Sequence, residues 1–152
     1  MRHNRTAIGF PAGLLVGFAA GFLATLIFHQ LMLTVLWSIG LAPSGPFSMK
    51  ATQPFGVPAV LSLAFWGGMW GILLALIQGR FPQDGYWIST FLFGAILPSL
   101  VALLVVLPLK GRPIGGGWPP PLLLTVFLNN GAWGIGTGLI LKALSGRFRT
   151  SR

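Results

Sequence analysis

Four apolar segments, each long enough to cross a bilayer, constrain this chain more than any other feature. A transmembrane helix needs about 20 mostly apolar residues. The segments run from about residues 7–37, 58–77, 87–109 and 121–144, and the stretches between them are rich in proline and glycine. Proline and glycine favour loops over continued helix. The sequence therefore predicts an all-α integral membrane protein with four transmembrane helices, forming a single domain over residues 1–152.

The composition restricts the chemistry that such a bundle can perform. Charged residues make up 7% of the chain, against about 25% in a soluble domain, and the mean hydropathy is +0.81. Cysteine is absent and Asp84 is the single acidic residue, in a loop where it most simply makes a turn. No nucleophile–base pair and no metal-ligand cluster can be assembled from what remains. We therefore expect no enzymatic activity, no metal site and no cofactor.

Basic residues are distributed unevenly between the two sides of the predicted bundle. With four spans, both termini and the loop between the second and third spans share one side. That side holds Arg2, Arg5, Arg80, Lys142, Arg147, Arg149 and Arg152, whereas the other side holds Lys50, Lys110 and Arg112. Cytoplasmic segments carry an excess of Lys and Arg. The bias predicts that both termini are cytoplasmic, and we expect the bacterial inner membrane as the location.

The basic cluster at the carboxyl end is formed by Arg147, Arg149 and Arg152. Clusters of this kind next to a span attract anionic lipid head groups. An acidic surface on a partner protein is the alternative. Nucleic acid is not expected, because the basic residues of the chain lie on both sides of the membrane.

The second and fourth spans carry the same short pattern in the same order. Residues 68–72 read Gly-Met-Trp-Gly-Ile and residues 131–135 read Gly-Ala-Trp-Gly-Ile, each preceded by Gly-x-Pro and followed by Gly-Arg-Phe. Ordered self-similarity indicates duplication. We predict two parallel copies of a two-helix unit, at about residues 7–81 and 86–148, related by an axis along the membrane normal. Coincidence in a chain rich in Gly, Trp and Leu is the alternative, because the first and third spans resemble each other only weakly.

Glycines recur every four residues in three of the spans. Lipid gives helices no hydrophobic drive to associate, so stripes of small residues mark places of close backbone approach. They predict helix packing inside the chain or an interface with a partner. We expect the first-span stripe, which is the longest, to be left over for a partner or a second copy. The glycines are Gly9, Gly13, Gly17 and Gly21 in the first span, Gly67 and Gly71 in the second, and Gly134 and Gly138 in the fourth.

A few polar residues fall inside the spans, where they are costly unless they have a partner. His29 and Gln30 lie towards the outer end of the first span, and Asn129 and Asn130 lie at an overlapping depth in the fourth. We predict a hydrogen bond between these two spans. The alternative is a ligand site, since histidine is a common axial ligand of haem.

Three tryptophans, Trp66, Trp70 and Trp133, also lie within spans and not at the membrane interfaces. Bulky rings complement the small residues of a neighbouring helix, so we expect packing. The alternative is an aromatic face that docks on a pigment, a quinone or a lipid.

Together these features indicate a non-catalytic polytopic membrane protein. The first hypothesis is an accessory or assembly subunit that packs against a larger membrane complex. A small homo-oligomeric channel or transporter is the alternative, based on the repeat and the buried Asn pair. A haem or quinone anchor rests on His29 alone and is the weakest hypothesis.

Overall fold

The computed structural model describes residues 10–150, with side chains from residue 12 to residue 144. Helix α1 comprises Phe10–Ala24, a π-helical turn at Thr25–His29, and Gln30–Ser38. Helix α2 is Ala59–Ile77, continued by a 3-10 turn at Gln78–Arg80. Helix α3 comprises Tyr86–Val101, a π-helical turn at Ala102–Val106, and Leu107–Leu109. Helix α4 is Pro120–Thr150.

Within the described residues, four helical stretches are long and apolar enough to cross a membrane. They are Ala12–Ser38, Ala59–Arg80, Tyr86–Leu109 and Pro120–Leu144. These bounds lie within a few residues of the predicted ones at most ends. The prediction of a mostly helical chain with four helices long and apolar enough to span a membrane is confirmed.

The first span, Ala12–Ser38, has 27 residues, more than the roughly 20 that a straight crossing needs. The helix is unbroken, but its hydrogen-bond ladder changes to a π turn at Thr25–His29. The Thr25 hydroxyl donates to the Gly21 carbonyl oxygen, which also accepts the indole N–H of Trp133 from α4. Side chains that compete for a backbone carbonyl disturb the regular ladder. This competition accounts for the position of the π turn.

A second irregularity lies in α3. Pro98 has no N–H and frees a carbonyl one turn earlier, and a π turn follows at Ala102–Val106. Pro98 and Gly94, whose carbonyl it frees, are both buried, so the backbone disturbed by the proline faces the other helices. Irregular backbone is tolerated at membrane depth where protein covers it.

The helices associate as two pairs that meet along one seam. Helix α1 packs along α2, α3 packs along α4, and α1 also packs against α4, which joins the pairs. The buried core at this seam consists of Ala20, Ala24, Leu74, Phe93, Trp133 and Leu141. Most other large apolar side chains face outward, as expected for helices whose solvent is lipid.

The segment between α1 and α2 folds back over the N-terminal end of α2. It contains a two-stranded antiparallel hairpin, β1 (Ala51–Thr52) and β2 (Val57–Pro58). The first two amides of α2 donate to carbonyl oxygens of this segment, from Ala59 to Lys50 at 2.9 Å and from Val60 to Ser48 at 3.0 Å. The hairpin thereby satisfies N–H groups that a helix start leaves without intrahelical partners.

Candidate functional site: a buried polar cluster between α1 and α4

Three polar side chains meet between the C-terminal half of α1 and the N-terminal half of α4. His29 and Gln30 are consecutive residues at the junction of the π turn and the following helix, and Asn129 projects from α4. All three are buried. Asn129 Nδ2 lies 2.9 Å from His29 Nε2 and 3.3 Å from His29 Nδ1. The two spans predicted to share a polar contact therefore do so through His29 and Asn129.

Gln30 connects this cluster to the loop between α1 and α2. Its Oε1 accepts the backbone N–H of Phe47 at 2.7 Å, and its Nε2 lies 3.3 Å from His29 Nδ1. Phe47 has a left-handed backbone conformation, with φ of 53°. Such a conformation is uncommon for a non-glycine residue and needs support from its surroundings. The sequence placed Gln30 in a polar patch but carried no signal that its partner would be Phe47, 17 residues away.

The hydrogen bond from the Phe47 N–H determines which atoms of the cluster are donors and which are acceptors. Since Gln30 Oε1 is occupied by a donor, Gln30 Nε2 must donate to His29 Nδ1. A neutral imidazole that accepts at one ring nitrogen carries its proton on the other, so His29 Nε2 is a donor. Asn129 satisfies this donor when its amide is turned to present Oδ1 to His29 Nε2.

Asn129 is also where the cluster has spare hydrogen-bonding capacity. As placed, its Oδ1 is the one buried side-chain nitrogen or oxygen without a partner among the described residues. Turning the amide pairs Oδ1 with His29 and leaves an N–H in the same position. In either orientation one end of the Asn129 amide lacks a protein partner.

Asn130 faces a different neighbour. Its Nδ2 donates to Ser99 Oγ on α3 at 3.0 Å, and Ser99 Oγ donates to the Val126 carbonyl oxygen at 3.3 Å. The Asn pair is thus divided between helices, with Asn129 bonded to α1 and Asn130 to α3. Consecutive residues on a helix point about 100° apart, which allows one pair to serve two neighbours.

The glycine stripes bring backbones into direct contact inside the chain. A Cβ added at Gly17 would lie 3.0 Å from the Gly71 carbonyl oxygen, and one at Gly21 would meet the Gly67 carbonyl oxygen. Among the described residues, no other helix comes within 4 Å of a Cβ added at Gly13, and Gly9 lies outside the described residues. The expectation that the first-span stripe is left over for a partner is therefore wrong for Gly17 and Gly21, because α2 covers both.

Helices α3 and α4 contact each other as α1 and α2 do, with their backbones brought together at glycines. An added Cβ at Gly94 would lie 2.9 Å from the Gly134 Cα, and one at Gly134 would meet the Thr90 carbonyl oxygen. Gly138 packs on the side chain of Thr90. Gly94 and Thr90 were missed in the sequence, because an isolated glycine and a threonine do not form a stripe.

An aromatic ring covers a glycine in each of the two helix pairs, at corresponding positions. The ring of Phe18 on α1 covers Gly68 on α2, and the ring of Phe91 on α3 covers Gly131 on α4.

The three tryptophans have different surroundings. Trp133 is buried in the core, and its Nε1 donates to the Gly21 carbonyl oxygen at 3.0 Å. Trp70 is half-buried against Phe93, with ring centroids 6.2 Å apart. Trp66 is 59% exposed and faces away from the bundle. Packing explains Trp133 and Trp70, but not Trp66.

Lys142, near the C-terminal end of α4, has its Nζ 4.1 Å from the ring centroid of Tyr86 and 4.9 Å from that of Trp87. This is cation–π geometry. The side chains of Arg147 and Arg149 and the whole of Arg152 lie outside the described residues, so the predicted head-group cluster is not described. Among the residues that are, no three His, Cys, Asp or Glu side chains come together.

Comparisons of the chain with protein families, curated proteins and solved structures found no match.

Proposed function

We propose that this chain is a non-catalytic accessory or assembly subunit that packs against a larger membrane protein. The observation that carries the proposal is the exposed indole of Trp66. Trp66 lies seven residues into α2, which is about 10 Å from the outer end of that helix. In a hydrocarbon core of about 30 Å, that depth is well inside the membrane.

A tryptophan is poorly suited to lipid at this depth. Tryptophan prefers the membrane interface, where its N–H can be hydrated. The Trp66 indole N–H has no hydrogen-bond acceptor among the described residues, and hydrocarbon offers none. A partner protein that presents a carbonyl or hydroxyl oxygen would satisfy it.

The surroundings of Trp66 form a continuous aromatic surface on α1 and α2. Phe65 lies edge-on to Trp66, with ring centroids 5.7 Å apart, and edge-on to Phe18 at 5.8 Å. Phe18 stacks on Phe22 at 6.0 Å. These four residues, Phe18, Phe22, Phe65 and Trp66, are called the aromatic face below. Large rigid rings of this kind are typical anchors of protein interfaces.

A photoreactive phenylalanine analogue at position 66 tests the proposal in native membranes. We expect a crosslink to one membrane protein of another kind, and co-purification of that protein in stoichiometric amount. Trp66→Phe, which retains a ring but removes the N–H, should weaken co-purification. The matched control is Trp37→Phe, because Trp37 is 52% exposed at the outer end of α1, where water can reach its indole.

Three outcomes distinguish the hypotheses. Crosslinks to lipid alone, with co-purification unaffected by Trp66→Phe, would overturn the accessory-subunit proposal. Crosslinks only to a second copy of this chain would replace it with the homo-oligomeric channel or transporter. Equal loss in Trp66→Phe and Trp37→Phe would remove the argument from the Trp66 N–H.

We also propose that the two helix pairs are parallel copies of one unit. The support is the order of the backbone contacts: Gly17 and Gly21 on α1 occupy the places that Thr90 and Gly94 occupy on α3. On the partner helices, Gly68 and Gly71 match Gly131 and Gly134. The difference in residue number between matched positions is the same for both matches between α1 and α3, and likewise for both matches between α2 and α4. Joining residues 7–81 in tandem with itself should give an inserted four-span protein, and failure to insert would oppose the proposal.

The proposed orientation places both termini in the cytoplasm of a bacterium, with the chain in the inner membrane. The excess of basic residues on that side supports it. Because the chain has no cysteine, single cysteines report topology directly. Ser44→Cys should react with an impermeant maleimide from outside, and Gln83→Cys only after permeabilisation. The reverse labelling pattern would invert the orientation.

A further inference from the structure

The outer loop between α1 and α2 exposes apolar side chains although it lies outside the spans. Phe55, between the two strands of the hairpin, is 87% exposed, and Met49 is 68% exposed. Phe47 and Val57 are exposed as well. Isolated apolar residues on a surface need no explanation, but four within one short segment form a patch that water would not favour.

Helix lengths place this patch at the membrane boundary. The span Ala59–Arg80 has 22 residues, or about 33 Å of helix, which nearly matches a hydrocarbon core of about 30 Å. Ala59 therefore lies close to the outer edge of the core. The backbone bonds from Ala59 to Lys50 and from Val60 to Ser48 hold the loop at that same depth.

The charges of this side of the protein are all of one sign. The two connections on the outer side, residues 39–58 and 110–119, carry Lys50, Lys110 and Arg112 and no acidic residue. Asp84 lies between α2 and α3, on the opposite side. Basic residues beside exposed apolar ones are characteristic of segments that lie in a lipid interface, with aliphatic stems in the membrane and ammonium groups at the head groups.

From these observations we propose that the hairpin is a lipid-interface element, which inserts Phe55 and Met49 into the outer leaflet beside α2 while Lys50 contacts anionic head groups. The occupant of the patch is thus the lipid surface and not a second protein. The insertion closes the outer end of α2 against water. This surface is separate from the aromatic face and does not depend on the proposed partner.

Site-directed spin labelling of the purified full-length chain tests the proposal. Phe55→Cys is labelled and reconstituted in phosphatidylcholine vesicles with or without phosphatidylglycerol, and its accessibility to oxygen is compared with that to a water-soluble nickel chelate. Labels at Gln83→Cys and Leu104→Cys provide the reference values for water and for lipid. Met49→Cys supplies an independent position in case the change at Phe55 disturbs the hairpin.

We expect the labels at positions 55 and 49 to favour oxygen over nickel several-fold relative to the label at position 83. Phosphatidylglycerol should increase that preference, and Lys50→Gln should remove the increase. Nickel accessibility equal to that at position 83 would show that the hairpin stands in water and would overturn the proposal. Protection from both reagents would indicate contact between protein surfaces and would overturn it equally.

Discussion

The indole of Trp133 on α4 donates its N–H to the carbonyl oxygen of Gly21 on α1, across 3.0 Å. The same carbonyl accepts the hydroxyl of Thr25. One backbone oxygen therefore joins the two helix pairs, one helical turn before the π turn at Thr25–His29. Because this turn leads directly to His29, the packing of Trp133 and the geometry of the polar cluster are connected.

Trp133→Phe should destabilise the bundle by about 1 kcal/mol, the usual scale of an interhelical hydrogen bond in a membrane protein. Phenylalanine keeps one aromatic ring in the core but is smaller than indole, so a size effect adds to the loss of the N–H and has to be separated from it by a control. Reversible unfolding in mixed micelles measures it. Trp70→Phe is the matched control, because Trp70 lies in the corresponding sequence motif but has no hydrogen bond to its indole among the described residues. An equal loss in both variants would assign the effect to ring size.

Gly21→Ala should cost about 1–3 kcal/mol, because its Cβ would enter the space of the Gly67 carbonyl oxygen. Gly13→Ala should be neutral, since no other helix of the described part of the chain comes within 4 Å of an added Cβ there. Both substitutions introduce one methyl group into the same helix, which makes their comparison clean. Unfolding in mixed micelles and yield of the folded protein are the measurements. A stability loss at Gly13 as large as that at Gly21 would contradict the described contact of α1 with α2.

A double-mutant cycle of His29→Leu and Asn129→Leu should give a coupling energy of about 0.6–2 kcal/mol, because the two side chains contact each other in a buried site. Pairing His29→Leu with Thr137→Val is the control. Thr137 is buried in α4, but its hydroxyl bonds to the Trp133 carbonyl of its own helix. Additive effects in the first pair would show that His29 and Asn129 do not interact in the membrane.

Gln30→Leu should release the outer loop without unfolding the helices. It removes the acceptor of the Phe47 N–H, a bond worth about 1 kcal/mol, so hydrogen exchange over residues 39–58 should accelerate about fivefold. Mass spectrometry of peptic fragments measures the change. Thr34→Val is the control, because that hydroxyl bonds to the Gln30 backbone carbonyl and leaves the Gln30 side chain intact. Unchanged exchange in Gln30→Leu would show that other contacts hold the loop.

The spans could be predicted from sequence because hydropathy depends on composition alone: roughly 20 apolar residues in a row have one stable arrangement in lipid. The depth of polar residues follows from counting along the helix at about 1.5 Å per residue. By that counting, His29 and the two asparagines were predicted to lie at overlapping depths in the membrane. It could not choose between Asn129 and Asn130, since both have nearly the same depth.

Whether Asn129 or Asn130 contacts His29 is decided by the rotation of each helix about its axis. That rotation depends on all the packed side chains together. Rotation directs Asn129 to His29 and Asn130 to Ser99, and it turns Gly17 and Gly21 towards α2 instead of a partner. It also buries Trp133 while Trp66 stays exposed. Sequence by itself determined that the chain is a four-span membrane protein with a few polar residues at known depths. Only the tertiary structure decided which of those residues contact each other, because the rotation of a helix about its axis is fixed by packing against its neighbours.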